Sequence, residues 1–293
     1  MSVWRHEPIL AERIADELLL NNDGVYLDAT LGLGGHSGFF LKRLSAAARV
    51  IGLDKDVSAV NMALKNISDA RLTAFVCSYL EAPKIMERLN ISSFDGAVFD
   101  LGLSSYQLDD ASRGFSFLRE GPLDMRFNNN EGISAADIIN EWPADKIEEI
   151  LLKYGEELYA NKIALAVYGA RRARKIKTTR QLAEIIEKIC PHAGKIHPST
   201  KTFQALRIAV NNELAEVELL ARMLPKILLP KARAAVLTFH SLEDRIIKRA
   251  FKELVSSDDW RLVNKKVIEP SREEIISNHR ARSAKLRIIE RKI

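Results

Sequence analysis

Three aspartates each follow directly on a short apolar run, and this arrangement is typical of a ligand site. The apolar runs predict strands, and the carboxyl ends of parallel strands meet at one edge of a sheet. The three acids are therefore expected to converge although they lie far apart in the sequence. They are Asp28, Asp54 and Asp100, and the predicted strands before them are Val25–Leu27, Arg49–Leu53 and Gly96–Phe99.

A glycine-rich segment follows the first of these acids. Gly32, Gly34 and Gly35 predict a tight loop, and residues 38–44 predict a helix behind it. Glycine reaches positive φ, and a helix N-terminus presents free N–H groups. The loop can therefore bind a polar ligand, while Asp54 is placed to accept hydrogen bonds from ribose hydroxyls.

The spacing of these residues favours a methyl donor over a dinucleotide. The dinucleotide fingerprint GxGxxG is incomplete because Gly38 comes one place late. Asp28 would repel a pyrophosphate, whereas it would attract the cationic amino-acid end of S-adenosylmethionine. A glycine loop after a strand is often an ordinary turn, but the combination of Asp28, Gly34 and Asp54 favours a binding loop.

Composition narrows the class of protein. The 293 residues are 47% hydrophobic and 28% charged, as in a globular protein of one large or two small domains. The net charge of +5 favours phosphate-bearing partners. Neither an export signal nor about 18 consecutive apolar residues occur, so we expect a cytoplasmic protein. Cys77 and Cys190 lie far apart, which predicts reduced thiols and no metal site.

Further strands and a first helix complete the expected sheet. An approximate helical stripe after Pro8 predicts a helix that packs on the sheet or covers the site, and His6 before it is read as a surface histidine. Tyr79, beyond the third strand, is open to two interpretations, a ring stacked on adenine or a packed core ring. The remaining predicted strands are Leu72–Val76, Ala234–Phe239, Leu262–Ile268 and Leu286–Ile289.

The strand pattern pauses in the middle of the chain. An irregular segment at 113–127 precedes helical periodicity from Ser134 onward, and one long helix or two are expected over Phe203–Leu229. We therefore predict three parts: a core at 1–110, an inserted helical substrate-recognition domain at 111–204 and the rest of the core at 205–293.

Basic residues are concentrated in two places, the insert and a loop near the C-terminus. A run of charge is often only a solvated surface, but beside a nucleotide-sized cleft it favours RNA phosphate contact. The predicted RNA-binding residues are Arg171, Arg172, Arg174, Lys175, Arg280 and Arg282, and Lys195, His197 and Lys201 add charge to the insert.

Several segments together resemble one family, the bacterial MraW-type methyltransferases. These segments occur in the family's order and span nearly the whole chain. They are DATLGLGGHS at 28–37, DLGLSSYQLD at 100–109, RGFSF at 113–117, GPLDMR at 121–126, YGEE at 154–157, HPSTKTFQALRI at 197–208, FHSLEDRIIK at 239–248 and RARSAKLR at 280–287.

The resemblance implies a fold, an activity and a set of contacts. It implies a class I (Rossmann-like) α/β methyltransferase with a seven-stranded, mostly parallel sheet, an antiparallel terminal strand and an inserted helical domain. The implied activity is S-adenosylmethionine-dependent methylation of the exocyclic N4 of a cytidine in the decoding region of 16S ribosomal RNA. Tyr79 departs from the family's usual phenylalanine and Tyr106 from its proline. Implied cofactor contacts are Gly34, Gly35, His36, Asp54, Tyr79, Asp100 and Gln107.

The chemistry of an exocyclic amine adds a requirement for a proton acceptor. The lone pair of N4 is conjugated into the ring, so its protons must be accepted as the methyl group arrives. Many enzymes of this kind place an Asn/Asp-Pro-Pro-Tyr/Phe segment after the fourth strand, where this chain has DLGLSS. We predict in-line positioning with Asp100, Ser104 or a backbone carbonyl as acceptor, and Asp109 and Asp124 as reserve candidates.

Two other classes of function remain as alternatives. One is a noncatalytic RNA-binding assembly factor that keeps a cofactor-like fold, and the other is a dehydrogenase. The intact glycines and acids argue against the first, and Asp28 argues against the second. The expected partner is 16S ribosomal RNA within a small-subunit particle, with an unpaired cytidine as the target, and the sequence leaves the oligomeric state open.

Overall fold

The computed structural model describes residues 8–191 and 197–293, so His6 and Lys195 lie outside the described residues. The chain divides into two compact units. The first unit comprises Met1–Gly102 and Leu214–Ile293, and the second comprises Leu103–Glu213. The divisions therefore fall after residues 102 and 213, whereas the sequence placed them after 110 and 204.

Seven strands in the first unit form one sheet in the order β3-β2-β1-β4-β5-β7-β6. The first five strands are parallel, and β7 runs antiparallel to both β5 and β6. This is the strand order and direction of a class I methyltransferase, as predicted. The strands are β1 (Val25–Asp28), β2 (Arg49–Asp54), β3 (Leu72–Val76), β4 (Phe94–Asp100), β5 (Leu228–Thr238), β6 (Trp260–Leu262) and β7 (Lys285–Arg291).

Helices connect the strands and build the second unit. In chain order they are α1 (Ala11–Leu18), α2 (Gly35–Arg43), α3 (Val57–Asn66), α4 (Ala82–Leu89), α5 (Ser105–Asp109), α6 (Ala135–Glu141), α7 (Ala144–Gly155), α8 (Ala160–Ala173), α9 (Thr179–Ile189), α10 (Ser199–Asn211), α11 (Glu213–Ile227), α12 (Ser241–Val255) and α13 (Arg272–Ser277). One long helix or two were expected over Phe203–Leu229, and the structure has two, α10 and α11.

The central strands β1, β2 and β4 are buried on both faces, and successive side chains along each strand point to opposite sides of the sheet. One face packs with α4, α11 and α12 in one hydrophobic cluster, and the other packs with α1, α2 and α3 in a second cluster. Helix α1 therefore packs on the sheet. The first cluster includes Leu27, Leu53 and Phe99, and their sequence neighbours Tyr26 and Val98 belong to the second.

The second unit has its own apolar core. Helices α6 to α10 contribute Ile139, Leu151, Val167 and Leu206 to it. The irregular segment at 113–127 contributes Phe115 and Met125, so it is packed and not a free loop. Unit 2 is therefore held together by its own buried side chains.

The sixth strand differs from the prediction. A strand was expected over Leu262–Ile268, but β6 ends at Leu262. The reason is Asn264, whose side-chain amide donates to the carbonyl of Lys266 (2.6 Å) and whose Oδ1 accepts the N–H of Ile288 (2.8 Å). The side chain of Asn264 thereby takes a backbone partner of β7 and ends the regular ladder.

Candidate functional site

The three predicted acids stand at the carboxyl ends of neighbouring strands. Asp28 ends β1, Asp54 ends β2 and Asp100 ends β4, and β1 lies between the other two strands in the sheet. The structure thus brings the three acids to one edge of the first unit, where open parallel sheets bind their ligands.

The glycine loop is bent by a left-handed residue at its centre. Gly34 has φ +85°, a conformation that side chains rarely adopt, and it caps the N-terminus of α2. A Cβ on Gly34 would stand 2.4 Å from Cδ1 of Ile67. Gly34 and Gly35 therefore place the first turn of α2, whose N–H groups have no partner within the helix, beside the ends of β1 and β2.

Asp54 holds the loop while keeping capacity for a ligand. Its Oδ2 accepts the N–H of Gly32 (2.8 Å) and its Oδ1 accepts the N–H of Asp56 (2.9 Å). Each oxygen of an ionised carboxylate accepts about two hydrogen bonds, so one site on each remains for the hydroxyls of a ribose. Burial raises the pKa of Asp54 to about 6.

Asp28 has a structural role that the sequence did not suggest. Its side chain is buried, and Oδ2 accepts both the N–H (3.1 Å) and the hydroxyl (2.6 Å) of Ser37. Burial raises the pKa of Asp28 above its ordinary value. Oδ1 is also buried, and among the described residues no hydrogen bond of normal geometry reaches it.

His36 lies between two of the acids. Its ring is 4% exposed, and Nε2 lies 3.5 Å from Oδ2 of Asp100, at the outer limit of a hydrogen bond. Asp100 is 28% exposed at its side chain, and its N–H donates to Oγ1 of Thr30 (2.6 Å). Burial lowers the pKa of His36, but Asp100 and Asp28 outweigh it, so the net pKa is raised.

Tyr79 sits in a 3-10 turn after β3, with its ring 8% exposed. It packs edge-on against Phe99, with ring centroids 5.7 Å apart, inside the first hydrophobic cluster. This position gives it the packed role that was one of its two interpretations. Contact between its ring and an adenine stays a prediction.

Ser104 and Gln107 belong to the second unit and form a capping box at the start of α5. Oγ of Ser104 accepts the N–H of Gln107 (3.2 Å), and Oε1 of Gln107 accepts the N–H of Ser104 (3.1 Å). These bonds explain both residues structurally, so their predicted catalytic and cofactor roles remain predictions. The reserve acid Asp124 is paired through both carboxylate oxygens with Arg126.

The predicted RNA-binding residues are not equivalent. In the second unit Arg171 donates to the carbonyl of Ile139 (2.7 Å) and lies over the ring of Tyr168, so it helps to hold α6. Arg172, Arg174 and Lys175 are exposed at the end of α8 and beyond it. In the first unit Arg280 is half-buried and Arg282 is exposed.

Two residues of the site were missed by the sequence reasoning, Thr30 and Ser37. Thr30 accepts the N–H of Asp100, and Ser37 donates twice to Asp28. Both are small hydroxyl residues flanking the glycine loop, and that placement was the available signal. They fix the acids that the sequence did identify.

The polar groups at this edge of the sheet fit S-adenosylmethionine as a ligand. Asp54 offers acceptors to a ribose, Asp28 is a buried acid beside the glycine loop, and the first N–H groups of α2 have no partner within the helix. Within residues 8–191 and 197–293, no His, Cys, Asp and Glu side chains cluster in a way that could hold a metal ion. No helix in those ranges is long and apolar enough to cross a membrane.

Comparison with known proteins agrees with this reading. The chain is 51% identical to the ribosomal RNA small subunit methyltransferase H of Elusimicrobium minutum, over 99% of this chain and 100% of that one. It is 41% identical to the protein of the same name from Clostridium botulinum (strain Kyoto), over 97% and 98%. The protein of that name from Nitrosomonas europaea is 40% identical over 98% and 97%. Residues 3–292 match one family along their whole length, and the chain belongs to the MraW methylase family.

Proposed function

We propose that this protein transfers a methyl group from S-adenosylmethionine to the exocyclic N4 of one cytidine in 16S ribosomal RNA. The observation that carries the proposal is the group of acids at the carboxyl ends of β1, β2 and β4, beside the left-handed turn at Gly34. The relatives named as small-subunit ribosomal RNA methyltransferases support the substrate class.

Each residue at this edge has a defined task in the proposed reaction. When bound, S-adenosylmethionine supplies a methyl group on a positively charged sulfur. Asp54 binds the ribose hydroxyls, and the N–H groups of the glycine loop contact the polar end of the donor. Asp100, at the more exposed end of β4, accepts the proton that the cytosine amine loses.

The RNA is bound by exposed cations. Arg172, Arg174 and Lys175 on the second unit, and Arg282 on the first, are exposed to solvent. Phosphate contacts supply affinity without sequence preference, whereas an amine on a base must be unstacked before an enzyme can reach it. We therefore place the target cytidine in a single-stranded or loop segment of RNA.

The setting of the reaction follows from its substrate. Because the proposed substrate is ribosomal RNA, we propose that the protein acts in the cytoplasm. We also propose that the RNA is methylated within the small-subunit particle. Naked 16S RNA and isolated particles that lack the modification, compared as substrates in parallel, test this part.

The function is tested by transfer of a tritiated methyl group from S-adenosylmethionine to such particles, followed by nucleoside analysis. The expected product is N4-methylcytidine at one position. A protein that binds the particles but transfers no methyl group would be the noncatalytic assembly factor, and a different methylated nucleoside would contradict the proposed target atom.

A further inference from the structure

Two histidines stand near the carboxyl edge of the sheet in the first unit, and their surroundings differ. His240 caps α12: its Nδ1 accepts the N–H of Glu243 (3.3 Å), and its Nε2 lies 3.1 Å from Oε1 of Glu243. Neither ring nitrogen of His36 makes a hydrogen bond of normal geometry within the described residues. The helix cap therefore accounts for Nδ1 of His240, whereas Nε2 of His240 and both ring nitrogens of His36 make no hydrogen bond of normal geometry among the described residues.

A buried imidazole without hydrogen bonds is costly, because polar groups removed from water lose their partners there. The ring of His36 is 4% exposed and is flanked by Asp28 on β1 and Asp100 on β4. Asp28 already receives two hydrogen bonds from Ser37. Asp100 is the acid that the ring approaches, at 3.5 Å from Nε2 to Oδ2.

We propose that His36 is a positioning residue for methyl transfer, whose ring holds the side chain of Asp100 in place at the end of β4. This inference rests on the function proposed above. The ring approaches Oδ2, and the part of the Asp100 side chain that remains exposed is left to face the amine of the substrate.

The position of Asp100 matters because methyl transfer to N4 releases a proton. As the bond from N4 to the methyl carbon forms, the bond from carbon to sulfur breaks and its electron pair stays on sulfur. N4 then carries one proton too many, and that proton passes to the carboxylate of Asp100. The transfer needs an oxygen of Asp100 within hydrogen-bond reach of N4, and the approach of His36 to Oδ2 fixes the orientation of that side chain.

The charges around the ring agree with an imidazolium. Asp28 and Asp100 face His36 from the two strands beside α2, and together they raise its pKa above the ordinary value despite burial. An imidazolium between the buried Asp28 and the partly exposed Asp100 also offsets the repulsion between the two acids.

A double-mutant cycle tests whether His36 acts through Asp100. His36→Gln, Asp100→Asn and the double variant are compared in single-turnover methyl transfer at saturating S-adenosylmethionine. We expect His36→Gln to slow the reaction about 10- to 100-fold, as misplacement of a reacting group does. In a protein that already carries Asp100→Asn, His36→Gln should slow methyl transfer less than about twofold, because the two residues act as one unit.

A second measurement does not depend on the folding of the His36 variant. The ring of His36 is titrated by NMR in the unchanged protein and in Asp100→Asn. The pKa of His36 should lie above that of a free histidine in the former and fall in the latter. The exposed His279, titrated in the same spectra, should not respond to Asp100→Asn.

The outcomes separate this inference from the proposed function. The positioning role would be wrong if His36→Gln slowed methyl transfer equally with and without Asp100→Asn. It would also be wrong if Asp100→Asn left the pKa of His36 unchanged. In either case the enzyme could still make N4-methylcytidine. If the unchanged protein makes no N4-methylcytidine, the proposed function fails first, and the NMR result then describes only a buried ion pair.

Discussion

Asp54 is the residue on which donor binding should depend most directly. Asp54→Ala removes both acceptor oxygens and should weaken S-adenosylmethionine binding by about 1.5 to 3 kcal/mol, the range for a hydrogen bond to a charged group. Calorimetry measures the change. Asp16→Ala is the matched control, since Asp16 is an exposed acid of the same unit that pairs with Arg43. Unchanged affinity in Asp54→Ala would refute the ribose-binding role.

The raised pKa of Asp54 gives donor binding a pH dependence. With the pKa at about 6, Asp54 is mostly ionised at pH 7 and mostly protonated at pH 5. If the ribose needs the ionised acid, affinity for S-adenosylmethionine should fall about tenfold between those pH values. Calorimetry across this range should show a flatter dependence in Asp54→Ala, which also corrects for titration of the donor itself.

The stability of the ligand-free protein should respond to Asp54 in the opposite direction. The folded protein binds this proton more tightly than the unfolded chain does, because the pKa is raised on folding. The contribution of Asp54 to the free energy of unfolding therefore increases as pH falls through about 6 toward the unfolded value. Thermal unfolding of Asp54→Ala and of the unchanged protein, compared at each pH, isolates that contribution. A contribution that decreases over this range would contradict the raised pKa.

At the scale of elements, the turn before α2 is sensitive to any side chain at Gly34. Gly34→Ala forces a left-handed conformation on alanine, at about 1 to 2 kcal/mol, and brings its Cβ within 2.4 Å of Ile67. We expect a lower melting temperature and donor affinity reduced by about tenfold or more, which corresponds to about 1.4 kcal/mol.

Gly132 provides the matched control for that substitution. It also has a positive φ, at +74°, but a Cβ there would meet nothing within 4 Å. Gly132→Ala should therefore show the backbone cost alone and leave donor affinity unchanged. If the two variants lower donor affinity equally, the loop at Gly34 is not part of the binding site.

β3 was predicted with its observed ends, Leu72 and Val76, and the three strands that end in an acid were predicted almost as closely. β1, β2 and β4 were located within one or two residues because burial and the change to a charged residue coincide at their ends. β6 was misplaced because its end depends on hydrogen bonds from the side chain of Asn264 to distant residues. α4 was not predicted, although Pro83 in its first turn was a visible signal.

The residues of the candidate site could be predicted from the sequence, but the hydrogen bonds and contacts between them could not. The acids and glycines were identified from position alone. The double hydrogen bond from Ser37 to Asp28, and the approach of His36 to Asp100, need the distance between strand ends that only the folded chain provides. Arg171 is a similar case, since its carbonyl partner at Ile139 lies 32 residues earlier.

At the scale of the whole molecule, RNA binding should depend on salt through the exposed cations of the insert. Replacing Arg172, Arg174 and Lys175 by alanine should weaken RNA binding and lower the salt slope by about 0.7 for each lost phosphate contact on a single strand. Donor affinity should stay the same. Arg171 is left intact because it holds the carbonyl of Ile139. Filter binding at several salt concentrations gives the slope.

A charge-matched variant controls for net charge. Lys146, Lys162 and Lys188 are exposed elsewhere on the same unit, and their replacement by alanine removes the same number of cations. It should leave the salt slope nearly unchanged. Equal salt slopes in the two triple variants would show that RNA binding depends on the overall charge of the protein and not on the basic segment at residues 172–175.

The insertion of the second unit within the first also determines the order in which the protein can fold during synthesis. β4 pairs along its length with β5, for example Asp100 with Leu237, but all of Leu103–Glu213 is translated between them. Until β5 emerges, one edge of β4 is unpaired, and such edges promote association with other chains. If the second unit becomes compact first, it brings the ends of that long connection closer and reduces the entropy cost of closing the sheet. A ribosome that stalls within the insert would therefore carry a half-formed sheet with an open edge, the state in which a chaperone is most needed.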